Sequence, residues 1–120
     1  METMKTYSSS QALTVEAFKN RPSSLPSTDE NYVHPTSEDV KSIRNILGLS
    51  QVGIAKLLGV TYNEKKGSNT VRKWETLETS KEHRKISYAA WRLLLLASGV
   101  ITESDIRSEA DAYRVDIAAK

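Results

Sequence analysis

The sequence contains no cysteine, and its two histidines, His34 and His83, lie 49 positions apart in a chain of 120 residues. Without thiols the chain can form neither a disulfide framework nor a cysteine-ligated zinc finger, and it has no thiol nucleophile. Two scattered imidazoles argue against a histidine-rich metal site, and no pairing of a nucleophile with a base is visible. We therefore expect no enzymatic activity, no catalytic residues, and no bound metal or cofactor.

Long apolar runs are also missing. The longest run, residues 93–97, is far shorter than the ~20 residues needed to span a bilayer. The N-terminus lacks the basic and apolar regions of a signal peptide, so we expect a cytoplasmic protein with no membrane partner. With 38% hydrophobic and 27% charged residues, the composition is typical of one globular domain.

Positive charge is concentrated in the middle of the chain. The net charge is only +2, but residues 41–92 contain eleven Lys and Arg residues and four Glu residues, a local net charge of +7. The segments on either side are both net acidic. This distribution is typical of a protein that binds a polyanion, although charge alone fits a solvated basic face equally well. The eleven basic side chains are the cations that we expect to be available to phosphates.

Apolar residues recur at spacings of three and four after Pro35, which predicts a series of helices. Side chains suited to capping a helix N-terminus stand at Thr36 (paired with Asp39), Ser50, Ser68 or Asn69, Ser87 and Thr102. Glycines suited to ending a helix stand at Gly48, Gly59 and Gly99. The third of these helices is expected to include Leu77, and the last to carry Ile106, Ala110, Tyr113 and Ile117.

The first 35 residues differ in composition. Ser- and Pro-rich stretches, including residues 21–27, indicate an extended or disordered arm. Between them, residues 11–20 place Leu13, Ala17 and Phe18 on one face of a short helix that Ser10 would cap. Ten residues are marginal for an isolated helix, so this helix needs a surface to pack on.

Two segments carry a specific pattern: SQVGIAKLLGV at residues 50–60 and TVRKWE at residues 70–75. The Ser-Gln opening, the Ile-Ala pair, the closing Leu-Gly-Val and the Val followed by Trp-Glu resemble the Cro/C1-type helix-turn-helix family, also called the XRE family. The resemblance covers about residues 36–100. It implies a domain that binds double-stranded DNA, with the helix after Ser68 as its recognition helix.

The geometry of two packed helices is consistent with a helix-turn-helix at these positions. Ala55 supplies a small residue where two steeply crossing helices approach each other. Val71 and Trp74 are three residues apart and share one face of the third helix. Asn69, Arg72 and Lys73 then project from the other side, and a helix of this kind fits the major groove of B-form DNA.

The sequence departs from the family between the two helices. A helix-turn-helix usually has a turn of about three or four residues, but here residues 61–69 intervene. Either the third helix is displaced by this insertion, or the loop projects outward and leaves the helix pair intact. The second alternative is favoured, because residues on both sides still match the family. We expect no fixed geometry for base recognition in the loop itself.

Nine residues are the candidate DNA-binding set: Ser50, Gln51, Lys65, Lys66, Ser68, Asn69, Thr70, Arg72 and Lys73. The resemblance implies that Ser68, Asn69, Arg72 and Lys73 read bases. Ser50 and Gln51 would anchor the start of the second helix, whose N-terminal amides favour a phosphate. Lys65 and Lys66 would contact phosphates, or else form part of a solvated loop.

The expected fold is all-α, a compact bundle of about five helices with a helix-turn-helix whose turn is lengthened, preceded by an N-terminal arm. Three segments are expected. Residues 1–35 form the arm with a short helix, residues 36–100 the helix-turn-helix domain, and residues 101–120 a C-terminal helix that is a candidate dimerisation element.

The expected function is transcription regulation by a homodimeric repressor on a palindromic operator, of an autoregulatory, phage or mobile-element type. The alternative is an antitoxin that represses its own operon and binds its toxin through residues 1–35. A third hypothesis is a protein-interaction module that has lost DNA binding, and the basic middle of the chain argues against it. The dimer would form through the apolar faces of residues 88–98 and 103–117, or through the arm.

Overall fold

Six α-helices, one 3-10 helix and their connections make up residues 14–115, the part of the chain that the computed structural model describes. The helices are α1 (Val15–Lys19), α2 (Ser37–Leu47), α3 (Gln51–Leu58), α4 (Asn69–Trp74), α5 (Tyr88–Ser98) and α6 (Glu103–Ala112), and the 3-10 helix is Pro22–Ser24. Within this range the β-type pairing is an isolated bridge between Asn63 and Gly67. The expected all-α class is confirmed.

The helix ends follow the local sequence signals. Thr36 and Asp39 form a reciprocal capping box at α2, in which the Thr36 hydroxyl accepts from Asp39 N at 3.1 Å and Thr36 N donates to Asp39 Oδ2 at 3.0 Å. Gly48 ends α2 with a φ of 71° and Gly59 ends α3 with a φ of 75°. A side chain is strained in this left-handed region, so glycine is the suitable residue at both positions.

Three details of the predicted helices were wrong. Helix α4 stops at Trp74, because the chain turns away where the Thr76 hydroxyl donates to Arg72 O at 2.8 Å. Leu77 therefore lies outside the helix, with 63% of its surface exposed. The first described helix begins at Val15, capped by Thr14, and not at residue 11. Ala110 and Tyr113 of the last segment are exposed. Ser10, Leu13 and Ile117 lie outside the described residues.

The core joins the middle helices to the N-terminal arm. Every α-helix except α6 contributes buried apolar side chains to it, and Ile106 of α6 packs from the edge. The buried set, which includes three residues of the connections around α5 (Ile86, Val100 and Ile101), is Phe18, Val40, Ile43, Ile54, Ala55, Val71, Trp74, Ile86, Trp91, Leu94, Leu95, Val100 and Ile101. Helix α2 packs against α5, and α3 packs against α4. The α3–α4 pair is therefore held on one shared core.

The described part of the arm is folded onto this core. Phe18 is fully buried, and its ring meets the Trp91 ring edge-on with centroids 6.1 Å apart. The Trp91 indole N–H donates to Ser23 O at 2.8 Å, and Arg92 Nη1 donates to Ser24 O at 3.1 Å. The expectation of an extended or disordered stretch at residues 21–27 was therefore wrong, because a buried aromatic ring and two hydrogen bonds hold it in place.

Arg92 connects the arm, α5 and α6. Its Nη2 lies 2.6 Å from Glu109 Oε1, and the two side chains are only 9% and 17% exposed. The other Glu109 oxygen accepts from the hydroxyls of Tyr88 and Tyr113. Arg92 was expected among the cations available to phosphates, and that expectation was wrong because its charge is buried and paired.

Candidate nucleic-acid interface

The loop inserted between α3 and α4 projects from the pair without separating it. Residues 61–66 are all exposed, while Ile54 and Ala55 of α3 share the buried cluster with Val71 and Trp74 of α4. This arrangement fits the alternative in which the loop projects outward and the helix pair stays intact.

The loop has a defined conformation. Asn63 and Gly67 exchange two backbone hydrogen bonds of 2.8 Å, and Gly67 has a φ of 96°. The Asn63 side-chain oxygen accepts from Lys65 N at 2.9 Å and from Lys66 N at 3.0 Å, which closes an Asx turn inside the hairpin. Asparagine and glycine at these positions thus close the loop, while the expectation that it does not read bases stays a prediction.

Lys56 ties the loop to α3. Its Nζ lies 2.8 Å from Glu64 Oε2 and 5.7 Å from the centroid of the Tyr62 ring. The hydrogen bond to Glu64, with the negative charge of that carboxylate, raises the pKa of Lys56 above its usual value. In contrast, Lys65 and Lys66 are exposed, and neither forms an ion pair within residues 14–115. These two ammonium groups are therefore free to meet an anion.

Ser68 has a structural role at the end of the loop. Its side chain is buried, its hydroxyl donates to Thr61 O at 2.7 Å, and the same oxygen accepts from Val71 N at 3.2 Å as the N-cap of α4. Both functions of the hydroxyl are used inside the protein, so Ser68 has no surface from which to contact a base. The inclusion of Ser68 in the candidate DNA-binding set was therefore wrong.

The outer face of α4 carries the other predicted base-reading side chains. Asn69 and Arg72 are exposed, whereas Thr70 and Lys73 are half-buried. Arg72 Nε donates to Asn69 Oδ1 at 3.4 Å, and Arg72 Nη1 forms an ion pair with Glu82 Oε1 at 3.0 Å. The face therefore offers an amide and a guanidinium that are already in contact with each other.

The start of α3 is held by a carboxylate from the end of α4. Arg44 donates to both oxygens of Glu75, at 2.7 and 3.0 Å, and Gln51 Nε2 donates to Glu75 Oε1 at 3.1 Å. Ser50 remains exposed and caps α3 by accepting from Gly53 N at 3.0 Å. Arg44 was expected among the available cations, and that was wrong because Glu75, with a side chain only 3% exposed, neutralises it.

Two adjoining depressions bring most of the predicted residues together. A groove of about 650 Å³ lies between the start of α3 and the inserted loop, and its lining includes Ser50, Gln51, Lys65 and Lys66. A second depression of about 310 Å³ is lined by Lys66 with Asn69 and Thr70. Since Lys66 borders both, the loop links the start of α3 to the first turn of α4 in one surface.

Comparison with known proteins places the chain in a family. No family model matches the sequence, and no solved structure matches it. Two curated proteins of Escherichia coli, both called transcriptional repressor protein KorC, are 32% and 34% identical to it over 71 residues. Each match covers 59% of this chain and 74% of the relative. The chain belongs to the KorC family of transcriptional repressors.

Three residues of this KorC-family surface were absent from the candidate DNA-binding set, although Lys56 was among the cations expected to be available to phosphates. Lys56 lines the groove and secures the loop, Glu75 positions Gln51, and Glu82 contacts Arg72. Glu75 belongs to the TVRKWE segment that resembles the helix-turn-helix family, so its identity was visible. Its pairing with Arg44, 31 positions away, was not visible, because it depends on how the helices pack.

Every acidic residue in the basic middle of this KorC-family chain has a partner within the protein. Glu64 pairs with Lys56, Glu75 with Arg44 and Glu82 with Arg72, while Glu78 accepts from the backbone and hydroxyl of Ser37. Burial raises the pKa of Glu78, but the hydrogen bonds from Ser37 and from its own backbone N–H, with the charge of His83, together leave the pKa below its ordinary value. The negative charges inside the basic segment are thus all engaged locally.

Two further findings concern the described part of this KorC-family member. None of its helices is both long and apolar enough to cross a membrane. Nowhere in residues 14–115 do three or more His, Asp or Glu side chains come together in a way that could hold a metal ion.

Proposed function

We propose that the chain is a sequence-specific repressor that binds double-stranded DNA as a homodimer, with α3 and α4 as a helix-turn-helix of the Cro/C1 type. The observation that carries the proposal is the single exposed surface formed by the start of α3, the inserted loop and the outer face of α4. Membership of the KorC repressor family supports it. In this proposal the chain acts by occupying its operator and blocking polymerase, without enzymatic activity.

Helix α4 is the recognition helix in this proposal. It has six residues, about 9 Å of helix, so only its first turns enter a major groove about 12 Å wide. Asn69 is suited to bidentate pairing with adenine, and Arg72 to guanine O6 and N7. Lys73 is half-buried beside them and reaches the groove from the flank.

The groove beside α4 supplies the contacts that position the protein on DNA. Ser50 and Gln51 lie at the start of α3, where free backbone N–H groups favour a phosphate. Lys65 and Lys66 also line this groove, and their ammonium groups form no ion pair with the described residues 14–115. Contacts of this kind carry no sequence information, but they set the register in which α4 meets the bases.

The short recognition helix and an apolar face on α5 support the proposed dimer. One α4 contacts only a few base pairs, so a two-fold dimer on a palindromic operator doubles the sequence that is read. Ala89, Leu93, Leu96 and Ala97 lie on one exposed side of α5, with Leu93 39% and Leu96 37% exposed. An adjoining groove of about 400 Å³ between α5 and α6 is lined largely by apolar atoms. This side of α5 is the proposed dimer interface.

The alternative antitoxin function has less support. Its toxin-binding segment was expected in residues 1–35, but Phe18 and the stretch around Ser23 are packed against α5 of the same chain. The relatives are named as repressors. We therefore assign this chain the repressor function, exerted on DNA in the bacterial cytoplasm.

The proposal is tested by selecting duplexes from a random library with the purified chain and measuring binding at several salt concentrations. We expect an enriched two-fold symmetric motif with half-sites about 34 Å apart. If about six phosphates are neutralised per dimer, log K against log salt has a slope of roughly −5. Absence of an enriched motif, with a slope near zero, would contradict the proposal.

The dimer is tested separately by light scattering at micromolar concentration. Leu93→Asp places a charge on the proposed interface and is expected to give a monomer. Leu77→Asp, at an exposed leucine outside α4 and α5, is the matched control and is expected to stay dimeric. A monomeric unmodified chain that still binds a single half-site would contradict the dimer.

A further inference from the structure

Arg72 lies between two acceptors on the exposed side of α4. Its Nε donates to Asn69 Oδ1 at 3.4 Å, and its Nη1 pairs with Glu82 Oε1 at 3.0 Å. Its second terminal nitrogen has no hydrogen-bond partner in the described part of the chain. The guanidinium is thus held through Nε and Nη1 and keeps the N–H groups of Nη2 available to a ligand outside the protein.

Glu82 is held next to α4 by a folded connection, residues 75–86. Arg84 N donates to Lys73 O at 3.1 Å, which attaches this connection to the last turn of the helix. His83 Nδ1 lies 2.8 Å from Thr76 O, and Glu82 N donates to Ser80 Oγ at 3.1 Å. Glu82 therefore reaches Arg72 from a defined backbone position.

The other end of the connection is attached to the body of the protein. Glu78 accepts from Ser37 at the start of α2, and Glu75 is bound to Arg44 of the same helix. Among the four acidic residues of the basic middle, Glu82 is the one that pairs with a side chain proposed to read bases.

We propose that Glu82 is a specificity-determining residue of the DNA-binding surface. By holding Arg72 beside Asn69, it directs the free Nη2 of the guanidinium to a base edge and keeps this arginine away from the phosphates. The inference rests on the proposed function, in which α4 enters the major groove. Glu82 acts through Arg72 and is therefore a positioning residue.

The physical reason is competition between acceptors. A free arginine is attracted to every phosphate equally, which raises non-specific affinity and adds no discrimination. An arginine already paired with a carboxylate gains little from exchanging that partner for a phosphate. The free Nη2 can donate to O6 or N7 of guanine while the ion pair between Nη1 and Glu82 persists. Because Glu82 disfavours contacts between Arg72 and phosphates, it increases the difference between specific and non-specific binding.

The test compares the affinity of variants for two duplexes of equal length. One is the sequence that the unmodified chain selects from a random library, and the other is a shuffled version of it. Glu82→Gln keeps the size of the side chain and removes its charge. Glu16→Gln is the matched control, because it removes the same charge and breaks an exposed ion pair of 3.2 Å with Lys19 on α1.

At 0.1 M salt, we expect Glu82→Gln to raise the affinity for the shuffled duplex by roughly eight-fold for each additional phosphate that Arg72 neutralises. For the same duplex, the slope of log K against log salt is expected to become steeper by about 0.9 per subunit. The ratio of selected to shuffled affinity falls, and the preference for guanine weakens at one position per half-site. Glu16→Gln leaves the ratio unchanged. Both side chains of the Arg72–Glu82 pair are largely exposed, so the variant folds, and an unchanged urea midpoint verifies this.

A double variant shows whether Glu82 acts through Arg72. In an Arg72→Gln background, Glu82→Gln is expected to leave the affinity ratio unchanged. The inference is overturned if Glu82→Gln alone does not change the ratio, or if it lowers the ratio equally in both backgrounds. In those cases the unmodified chain still selects its sequence and the proposed function stands. An unmodified chain that selects no sequence overturns the proposed function and this inference together.

Discussion

Removing the two loop lysines is expected to weaken the binding of all DNA sequences alike. Lys65 and Lys66 are exposed, unpaired within residues 14–115, and held on one wall of the groove that contains the start of α3. If each contacts one phosphate, the double change Lys65→Ala and Lys66→Ala removes two contacts per subunit and four per dimer. At about 0.9 per phosphate, the slope of log K against log salt becomes less steep by about 3.6.

A second variant separates the charge of the loop from its shape. Asn63→Ala removes the acceptor that closes the Asx turn on Lys65 N and Lys66 N, and it keeps both ammonium groups. We expect weaker binding, since the loop must then be ordered when DNA binds, with a slope within about one of that of the unmodified chain. Shift assays from 50 to 300 mM salt measure both quantities.

The outcome that refutes this reasoning is an unchanged salt slope in the double lysine variant. The loop would then face away from DNA, and its basic side chains would form a solvated surface. A urea titration serves as the control. Both lysines are exposed, so their removal is expected to leave the unfolding midpoint unchanged.

Three further predictions concern stability. Phe18→Ala is expected to cost about 3–5 kcal/mol of unfolding free energy in urea titrations, because the ring is fully buried against Trp91, and an unchanged value would show that the arm does not pack. Glu109→Ala is expected to cost about 3–5 kcal/mol by leaving the buried charge of Arg92 uncompensated, and a loss far below this would mean that Arg92 finds another partner. Burial, with the positive charge of Lys85, lowers the pKa of His34 in the folded protein. The unfolded chain therefore takes up the proton first, and stability falls as pH drops below about 6.5. A His34→Gln variant should show a smaller change in its urea midpoint between pH 7.5 and pH 5.5, and an equal change would contradict the assignment.

Local signals were sufficient to predict most of the helix boundaries. Thr36 with Asp39, Ser50 and Ser87 bond to backbone groups three residues away, and Gly48 and Gly59 adopt the left-handed conformation at helix ends. All of these interactions lie within one turn of the residue itself, so a short stretch of sequence contains them. Leu77 was placed wrongly because its spacing suited α4, although Thr76 and the following connection end the helix earlier.

Interactions between distant residues could not be predicted. Arg44 and Arg92 count as cations in the sequence, but each is neutralised by a carboxylate that reaches it only through helix packing. The arm was misjudged for the same reason, since the composition of residues 21–27 does not reveal that Phe18 fixes them to α5.

The structure brings most of the candidate DNA-binding residues to one surface, and their contacts with DNA stay a prediction. Ser50, Gln51, Lys65, Lys66, Asn69 and Thr70 line adjoining depressions, and Arg72 lies on the same exposed side of α4 as Asn69. Ser68 was placed in the set wrongly, because its side chain is buried and its hydroxyl bonds both Thr61 O and Val71 N. The turn formed by Asn63 is a local signal that could have predicted the fixed loop.

The central claim is that the outer face of α4 contacts base edges, while the lysines of the inserted loop contact phosphates of the DNA backbone. The most direct measurement is the sequence profile selected from a random duplex library by Asn69→Ala beside the profile selected by the Lys65→Ala and Lys66→Ala double variant. Asn69→Ala is expected to lose preference at one base position per half-site, where it costs about 1–3 kcal/mol, and the loop variant is expected to keep the original profile at lower affinity. An altered profile for the loop variant, with an unaltered profile for Asn69→Ala, would contradict the claim and identify the loop as the element that reads the sequence.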